Sequence, residues 1–177
     1  MHLRIYDPTL LAIDLRHRRF GYAVFEGHRN LLDCGVRVYR AVGDAEAETV
    51  KKRLAALFRL FSPSAIVLSK ERVDRAQIRS QMRVLIEAVR REAAANAIPI
   101  YVLERSQVRD TFFNLGCISK NEIASALARI FPELRWKLPP ERELGDPEHS
   151  RMTVFDAIAL GLAYWQHSCA RLPLLSE

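Results

Sequence analysis

The chain has 177 residues, of which 49% are hydrophobic and 27% charged, with only 7 glycines and 8 prolines. This composition is typical of one globular domain spanning residues 1–177, and it excludes collagen-like, disordered and disulfide-scaffold proteins. Lysine and arginine exceed aspartate and glutamate by 27 to 21, and the resulting net charge of +6 favours polyanionic partners such as nucleic acid without requiring them.

The first forty residues predict three antiparallel strands. β-rich runs occupy residues 10–13, 20–25 and 31–39, and EGHRN separates the last two at hairpin distance. The next segment, GDAEAETVKKRLAALFRLF, predicts a helix whose apolar residues share one face: Val50, Leu54, Leu57 and Leu60.

The rest of the chain alternates strands and helices. AIVLS is a short β-branched strand, a long helix covers residues 74–96, and IPIYVLE is the fifth strand. Helices at 106–112 and 119–131, a proline- and charge-rich loop, and a helix at 152–168 follow. This order predicts an α/β fold with a five-stranded mixed sheet, three antiparallel strands then two parallel, and helices on both faces.

The cysteines and the hydropathy favour a cytoplasmic protein with no membrane partner. Cys34, Cys117 and Cys169 are far apart and form no C-x-x-C pair, so we interpret them as reduced thiols rather than zinc ligands. The N-terminus lacks the apolar core of a signal peptide. The longest apolar run, AIALGLAYW, is far shorter than the ~20 residues that a membrane span needs.

Three acids fall where this topology brings element ends together. Asp14 ends the first strand, Glu71 ends the fourth, and Asp156 lies in the first turns of the last helix. The carboxyl ends of parallel strands meet at the edge where ligands collect in open α/β sheets. Carboxylates that repel one another there are suitable ligands for Mg²⁺ or Mn²⁺, and two such ions can promote phosphodiester cleavage.

A simpler interpretation remains open for each of these charged residues. Every acid, taken alone, also fits an ordinary strand-end or helix-start residue. Basic residues near the same edge either bind phosphates or form a solvated rim; they are Arg16, Arg18, Arg19 and Arg72. Among the aromatic residues, we expect Phe112 and Phe113 to lie in the core, whereas Trp136 is a candidate for stacking on bases.

Four segments resemble motifs of the RuvC-type Holliday-junction resolvases of the ribonuclease H-like superfamily. AIDLRHRRFGYAV is similar to the family's Ile-Asp-Pro-Gly turn followed by a basic residue and Gly-Tyr, with matches at Asp14, Arg18, Gly21 and Tyr22. SKERV stands where the family has its strand-ending Glu. VRDTFFNLGCISKNEI resembles the family's Val-Lys-x-Thr, Gly and Lys segment, with matches at Val108, Thr111, Gly116 and Lys120. FDAIALGLAY resembles the family's closing helix, in which Asp-Ala is followed by hydrophobic residues.

The resemblance implies a ribonuclease H-like fold and a homodimer that cleaves branched DNA with Mg²⁺ or Mn²⁺. It implies that Asp14, Glu71 and Asp156 are catalytic metal ligands. Lys120 and Arg109 would lie near the scissile phosphate, where Lys120 protonates a leaving group or stabilises charge and Arg109 only orients or stabilises. The long helix after Glu71 carries an apolar stripe that we expect to face the sheet, formed by Ile78, Met82, Leu85 and Val89. A partly apolar opposite face of this helix would resemble the family's dimer helix.

The sequence departs from the family at several positions that matter for catalysis. Leu15 and Arg16 replace the Pro-Gly pair, and Thr153 stands where the family has an acidic or His ligand. His149, Glu148 and Asp146 are the residues that can substitute for that ligand if the loop folds back. Asp74 replaces an aromatic residue that separates junction strands, and Lys70 precedes Glu71 at a normally apolar position.

Two classes of function are therefore compatible with the sequence. The first is a metal-dependent endonuclease acting on structured or branched DNA. The second is a ribonuclease H-like binding or scaffold module with impaired cleavage, which Thr153 and Arg16 favour. An RNA-directed enzyme resembling the YqgF type is a further alternative.

Overall fold

The computed structural model describes residues 7–16, 19–38, 44–70, 80–140 and 148–169, with the backbone alone described at 44–47, 80–82 and 169. A five-stranded sheet runs in the order β3-β2-β1-β4-β5. Its strands are β1 (Thr9–Arg16), β2 (Arg19–Glu26), β3 (Asn30–Val38), β4 (Ala65–Ser69) and β5 (Ile100–Leu103). β1, β2 and β3 are antiparallel, and β4 pairs in parallel with both β1 and β5. The predicted mixed sheet is confirmed.

Helices cover both faces of this sheet, as predicted. α1 (Asp44–Phe61) and α2 (Ser80–Ala95) enclose one apolar core. The opposite core lies under α3 (Arg105–Phe113), α4 (Lys120–Ile130), a short 3-10 helix (Pro132–Lys137) and α5 (Met152–Cys169). Among the residues described, no helix is both long enough and apolar enough to cross a membrane.

The side chains of β1 alternate between the two cores. Leu11, Ile13 and Leu15 pack toward α1 and α2, whereas Leu10 and Ala12 pack toward α5. Since side chains two residues apart share a face of a strand, Asp14 and Arg16 continue the row on the α5 side. One face of β1 therefore changes within a few residues from an apolar core to a charged site.

Small residues let α5 lie close to the sheet. A Cβ atom on Gly21 would be 2.1 Å from the backbone oxygen of Thr153, and one on Gly161 would be 2.3 Å from the Phe25 ring. Ala157, which lies between Thr153 and Gly161 on α5, is fully buried. This close approach fixes the height of Asp156 above β1.

Some core predictions were wrong at helix ends. Leu60 is 73% exposed, because Phe61 rather than Leu60 continues the buried stripe of α1. Phe112 is buried as expected, but its neighbour Phe113 is 67% exposed at the end of α3, since adjacent residues of a helix point in different directions.

The remaining core predictions concern α2 and the cysteines. Leu85 and Val89 are buried against the sheet side of α2, as predicted, whereas Ile78 and the side chain of Met82 lie outside the described part of the chain. Cys34 and Cys117 are buried free thiols.

Candidate functional site

Three carboxylates from distant parts of the chain converge beyond the apolar part of β1. Asp14 does not end the first strand as predicted, because pairing with β2 continues for two more residues, to Arg16. Asp14 is buried, with 4% of its surface exposed. Asp156 belongs to the first turns of α5, and Glu148 precedes that helix by four residues. All three carboxylates bind the side chain of Arg16, the last residue of β1.

The guanidinium of Arg16 uses a different nitrogen for each carboxylate. Nε donates to Oδ2 of Asp14 at 2.6 Å, and Nη1 donates to Oε2 of Glu148 at 3.0 Å. Nη2 donates to Oδ2 of Asp156. A planar guanidinium with donors fixed in a fork is suited to this arrangement, whereas an ammonium group is a single point charge.

Lys120, the first residue of α4, approaches the same carboxylates. Its Nζ atom donates to Oε1 of Glu148 at 2.6 Å and to Oδ2 of Asp156 at 3.0 Å. Oδ2 of Asp156 is thus shared by both cations. We call these five residues the Arg16 cluster: Asp14, Arg16, Lys120, Glu148 and Asp156.

Burial makes this cluster electrostatically different from a surface ion pair. The side chains of Arg16 and Asp14 are 12% and 6% exposed. Burial by itself lowers the pKa of Arg16, but the carboxylates around it raise the pKa, which ends above its usual value. Arg16 therefore stays charged at any pH at which the protein is folded.

Arg19 and Thr153 meet beside the cluster. Arg19 pairs with Arg16 across the β1–β2 ladder, and its Nε atom donates to Oγ1 of Thr153 at 3.2 Å. Thr153 is 1% exposed. The residue that stands where RuvC-type resolvases have an additional ligand thus binds an arginine.

A cavity of about 230 Å³ opens next to Asp156 and Lys120. Arg105 and Arg109, one turn apart on α3, line it together with Ile118. Because both arginines are exposed, the cavity provides positive charge where it meets the carboxylates. An anionic group such as a phosphate fits this combination better than a neutral ligand.

Whether the cluster suits a hard divalent cation depends on Arg16. Carboxylate oxygens are the preferred ligands of Mg²⁺ and Mn²⁺, so the chemistry of the three acids fits. Within the residues that the structure describes, however, no group of three or more His, Cys, Asp or Glu side chains is arranged to hold an ion. The carboxylates instead surround the guanidinium. A metal ion held by these acids would therefore have to take the place of the Arg16 guanidinium.

The structure brings together four residues that the sequence singled out: Asp14, Arg16, Lys120 and Asp156. Arg109 lines the adjacent cavity, and Arg19 lies at Thr153. The predicted ligand Glu71 lies outside the described residues, as do Arg18, Arg72, Asp74 and Asp146.

Among the residues considered as replacements for the missing ligand, Glu148 enters the cluster. His149 is exposed, and its Nδ1 atom accepts a hydrogen bond from the backbone N–H of Arg151 at 3.2 Å. Lys70, considered as a counter-charge for the acids, forms an ion pair with Glu104 at 2.6 Å. The inward direction of Arg16 was missed, although its spacing of two residues from Asp14 on a strand was a signal for it.

The sheet order β3-β2-β1-β4-β5, with helices on both faces, is a fold of the RuvC type. No family model and no curated protein matches the sequence. Comparison with solved structures therefore establishes the fold.

The chain is similar to RuvC of Thermus thermophilus in complex with a Holliday junction substrate, with a TM-score of 0.68 and 17% identity over 93% of this chain and 96% of that chain. A second structure of Thermus thermophilus RuvC has a TM-score of 0.66 and 18% identity over 93% of this chain and 97% of that chain. The yeast mitochondrial Holliday junction resolvase Ydc2 has a TM-score of 0.59 and 15% identity over 94% of this chain and 82% of that chain. The RuvC-type fold inferred from the sequence is confirmed.

Proposed function

We propose that this protein is a divalent-metal-dependent endonuclease that cleaves branched or structured DNA at the Arg16 cluster. The observation that carries the proposal is the convergence of Asp14, Asp156 and Glu148 beside a cavity lined by arginines. Two structural neighbours support branched DNA as the substrate, because one is bound to a Holliday junction and another is a Holliday junction resolvase.

The acids have the role of metal ligands in this proposal. Asp14, Asp156 and Glu71 would hold Mg²⁺ or Mn²⁺, and Glu148, which shares the Arg16 guanidinium with Asp14 and Asp156, would join them. An ion held by these residues would supply the Lewis acidity that phosphodiester hydrolysis needs, for the attacking water and for the leaving oxygen. Thr153 has neither a carboxylate nor an imidazole to offer a metal ion, and its hydroxyl accepts a hydrogen bond from Arg19.

The basic residues bind and orient the phosphodiester. Arg105 and Arg109 hold the phosphate at the cavity, because guanidinium groups suit phosphate oxygens. Lys120 lies at 3.0 Å from Asp156 and stabilises charge on the leaving group or protonates it. Arg19 would bind the DNA backbone beside the cluster, and the same role is proposed for Arg18 and Arg72, which lie outside the described residues.

A homodimer belongs to the same proposal. Two identical active sites related by two-fold symmetry match a junction with two equivalent strands. The mass of the protein in solution, measured by light scattering alone and with a four-way junction, tests it: a monomer in both conditions would contradict the dimer while leaving the active-site assignment intact.

Cleavage of an end-labelled four-way DNA junction with Mg²⁺ or Mn²⁺ tests the activity. We expect the wild type to cut it, and we expect Asp14→Asn and Asp156→Asn to lose at least a hundredfold in rate, because each loses a charged ligand. Asp33→Asn is the matched control. Its carboxylate lies on β3, where Oδ2 accepts from Tyr22 at 2.9 Å, far from the site. Equal rates for all four proteins would refute the proposed site.

The second candidate function is branched-DNA binding without cleavage, and a specific observation favours it. Arg16 occupies the carboxylates, and Thr153 leaves one ligand position without a charge. A wild type that binds the junction tightly but cuts nothing with either metal would establish this function. A preference for structured RNA over the DNA junction would instead identify an RNA-directed relative.

A further inference from the structure

We propose that Arg16 is a built-in cation that competes with divalent metal ions for the carboxylates of the Arg16 cluster. A metal ion can then load only when the guanidinium leaves. This inference deepens the proposed function, since it concerns the regulation of the same site, but its test does not depend on cleavage.

The competition follows from the atoms that Arg16 uses. Its nitrogens bind Oδ2 of Asp14 at 2.6 Å, Oδ2 of Asp156 and Oε2 of Glu148 at 3.0 Å. A metal ion bound by these acids would need oxygens of the same carboxylates at ~2.0–2.1 Å. A guanidinium and a divalent ion, both positively charged, cannot occupy the space between these carboxylates together.

The fold directs Arg16 inward rather than leaving it on a mobile loop. It is the last residue of β1, paired in register with Arg19, and it lies two residues beyond Asp14 on the same face. Only 12% of its side chain is exposed. The strand that supplies Asp14 therefore also holds the competing cation at the carboxylates. Its local concentration does not depend on the concentration of any cation in solution.

Nucleic acid offers Arg16 an alternative partner. Phosphate, like carboxylate, accepts two parallel hydrogen bonds from a guanidinium. The cavity beside Asp156 already carries Arg105 and Arg109, so a bound phosphodiester would lie close to the cluster. Arg16 can transfer to that phosphate as the acids become available to the ion, which couples metal loading to substrate binding.

Calorimetric titration of Mn²⁺ into the protein without nucleic acid tests the competition. We expect Arg16→Gln to bind Mn²⁺ at least tenfold more tightly than the wild type. Arg16→Lys keeps the charge but has one ammonium in place of three separate donors, so we expect an intermediate affinity. Lys51→Gln is the matched control: it removes one positive charge from α1, on the opposite face of the sheet, where Lys51 pairs with Glu48 at 2.7 Å. It should bind Mn²⁺ like the wild type.

Thermal unfolding provides the second readout. Because ligands stabilise the state that binds them, Mn²⁺ should raise the Tm of Arg16→Gln more than that of the wild type or of Lys51→Gln. If Arg16→Gln does not fold, the comparison of Arg16→Lys with the wild type decides the question in the same way.

The outcomes separate this inference from the proposed function. Equal Mn²⁺ affinities in the wild type and both Arg16 variants would overturn the competition, whatever the cleavage assay shows. Absence of binding in all of them would overturn it together with the metal dependence. Tighter binding by the Arg16 variants, in a protein whose wild type and variants never cut DNA, would support the competition and reject the nuclease.

Discussion

Two ion pairs in this protein have the same length and different surroundings. Nε of Arg16 lies 2.6 Å from Oδ2 of Asp14, and Nζ of Lys70 lies 2.6 Å from Oε1 of Glu104. The first pair is 12% and 6% exposed, and the second is 50% and 52% exposed. Distance alone predicts that the two pairs contribute equally to stability, whereas their different burial predicts very different contributions.

The difference lies in what water can do after one partner is lost. Water and salt screen exposed charges, so an exposed pair contributes little to stability. Around Arg16, three carboxylates share one guanidinium, and Asp14 is buried. Removing the cation there leaves carboxylates that water solvates poorly and that repel one another.

The largest expected effect is that of Arg16→Gln. In buffer with a chelator, we expect it to lower the free energy of unfolding by about 3 kcal/mol, since breaking a buried ion pair from one side leaves uncompensated charge. Urea denaturation measures this change. The double variant Arg16→Gln with Asp14→Asn should regain part of the loss. A single variant as stable as the wild type would show that the cluster is solvated like a surface pair.

Lys120→Gln tests an intermediate case. Its side chain is 34% exposed, and its partners Glu148 and Asp156 are 28% and 22% exposed. We expect a loss of about 1 kcal/mol in the same urea experiment, because Arg16 still neutralises both partners. A loss as large as that of Arg16→Gln would mean that the two cations act as one unit rather than by their separate burial.

Lys70→Gln has the smallest expected effect. The pair that it breaks is half exposed, so we expect a change in unfolding free energy within about 0.5 kcal/mol. Added salt should reduce even this difference, because screening acts on exposed charges. A change above 1 kcal/mol in urea denaturation would contradict the ranking by burial and point to another contribution of Lys70.

Much of the fold was predictable because its signals are local. Strand alternation, helix periodicity and hairpin spacing depend on residues a few positions apart, and they gave the five strands and their mixed order. The errors, Leu60 and Phe113, occurred at the ends of helices, where one position of rotation decides burial. Asp14 and Asp156 were predictable for a similar reason, because element ends meet at one edge of a sheet.

The partners of Arg16 were not predictable in the same way. The sequence by itself determined that Asp14 would lie near the end of a strand and that Asp156 would lie near the start of a helix. Glu148 and Asp156 are 132 and 140 residues from Arg16. Only the tertiary structure decided that their carboxylates would surround the guanidinium. The physical reason is that α5 packs closely on the sheet at Gly21 and Gly161, and local periodicity does not specify this long-range packing.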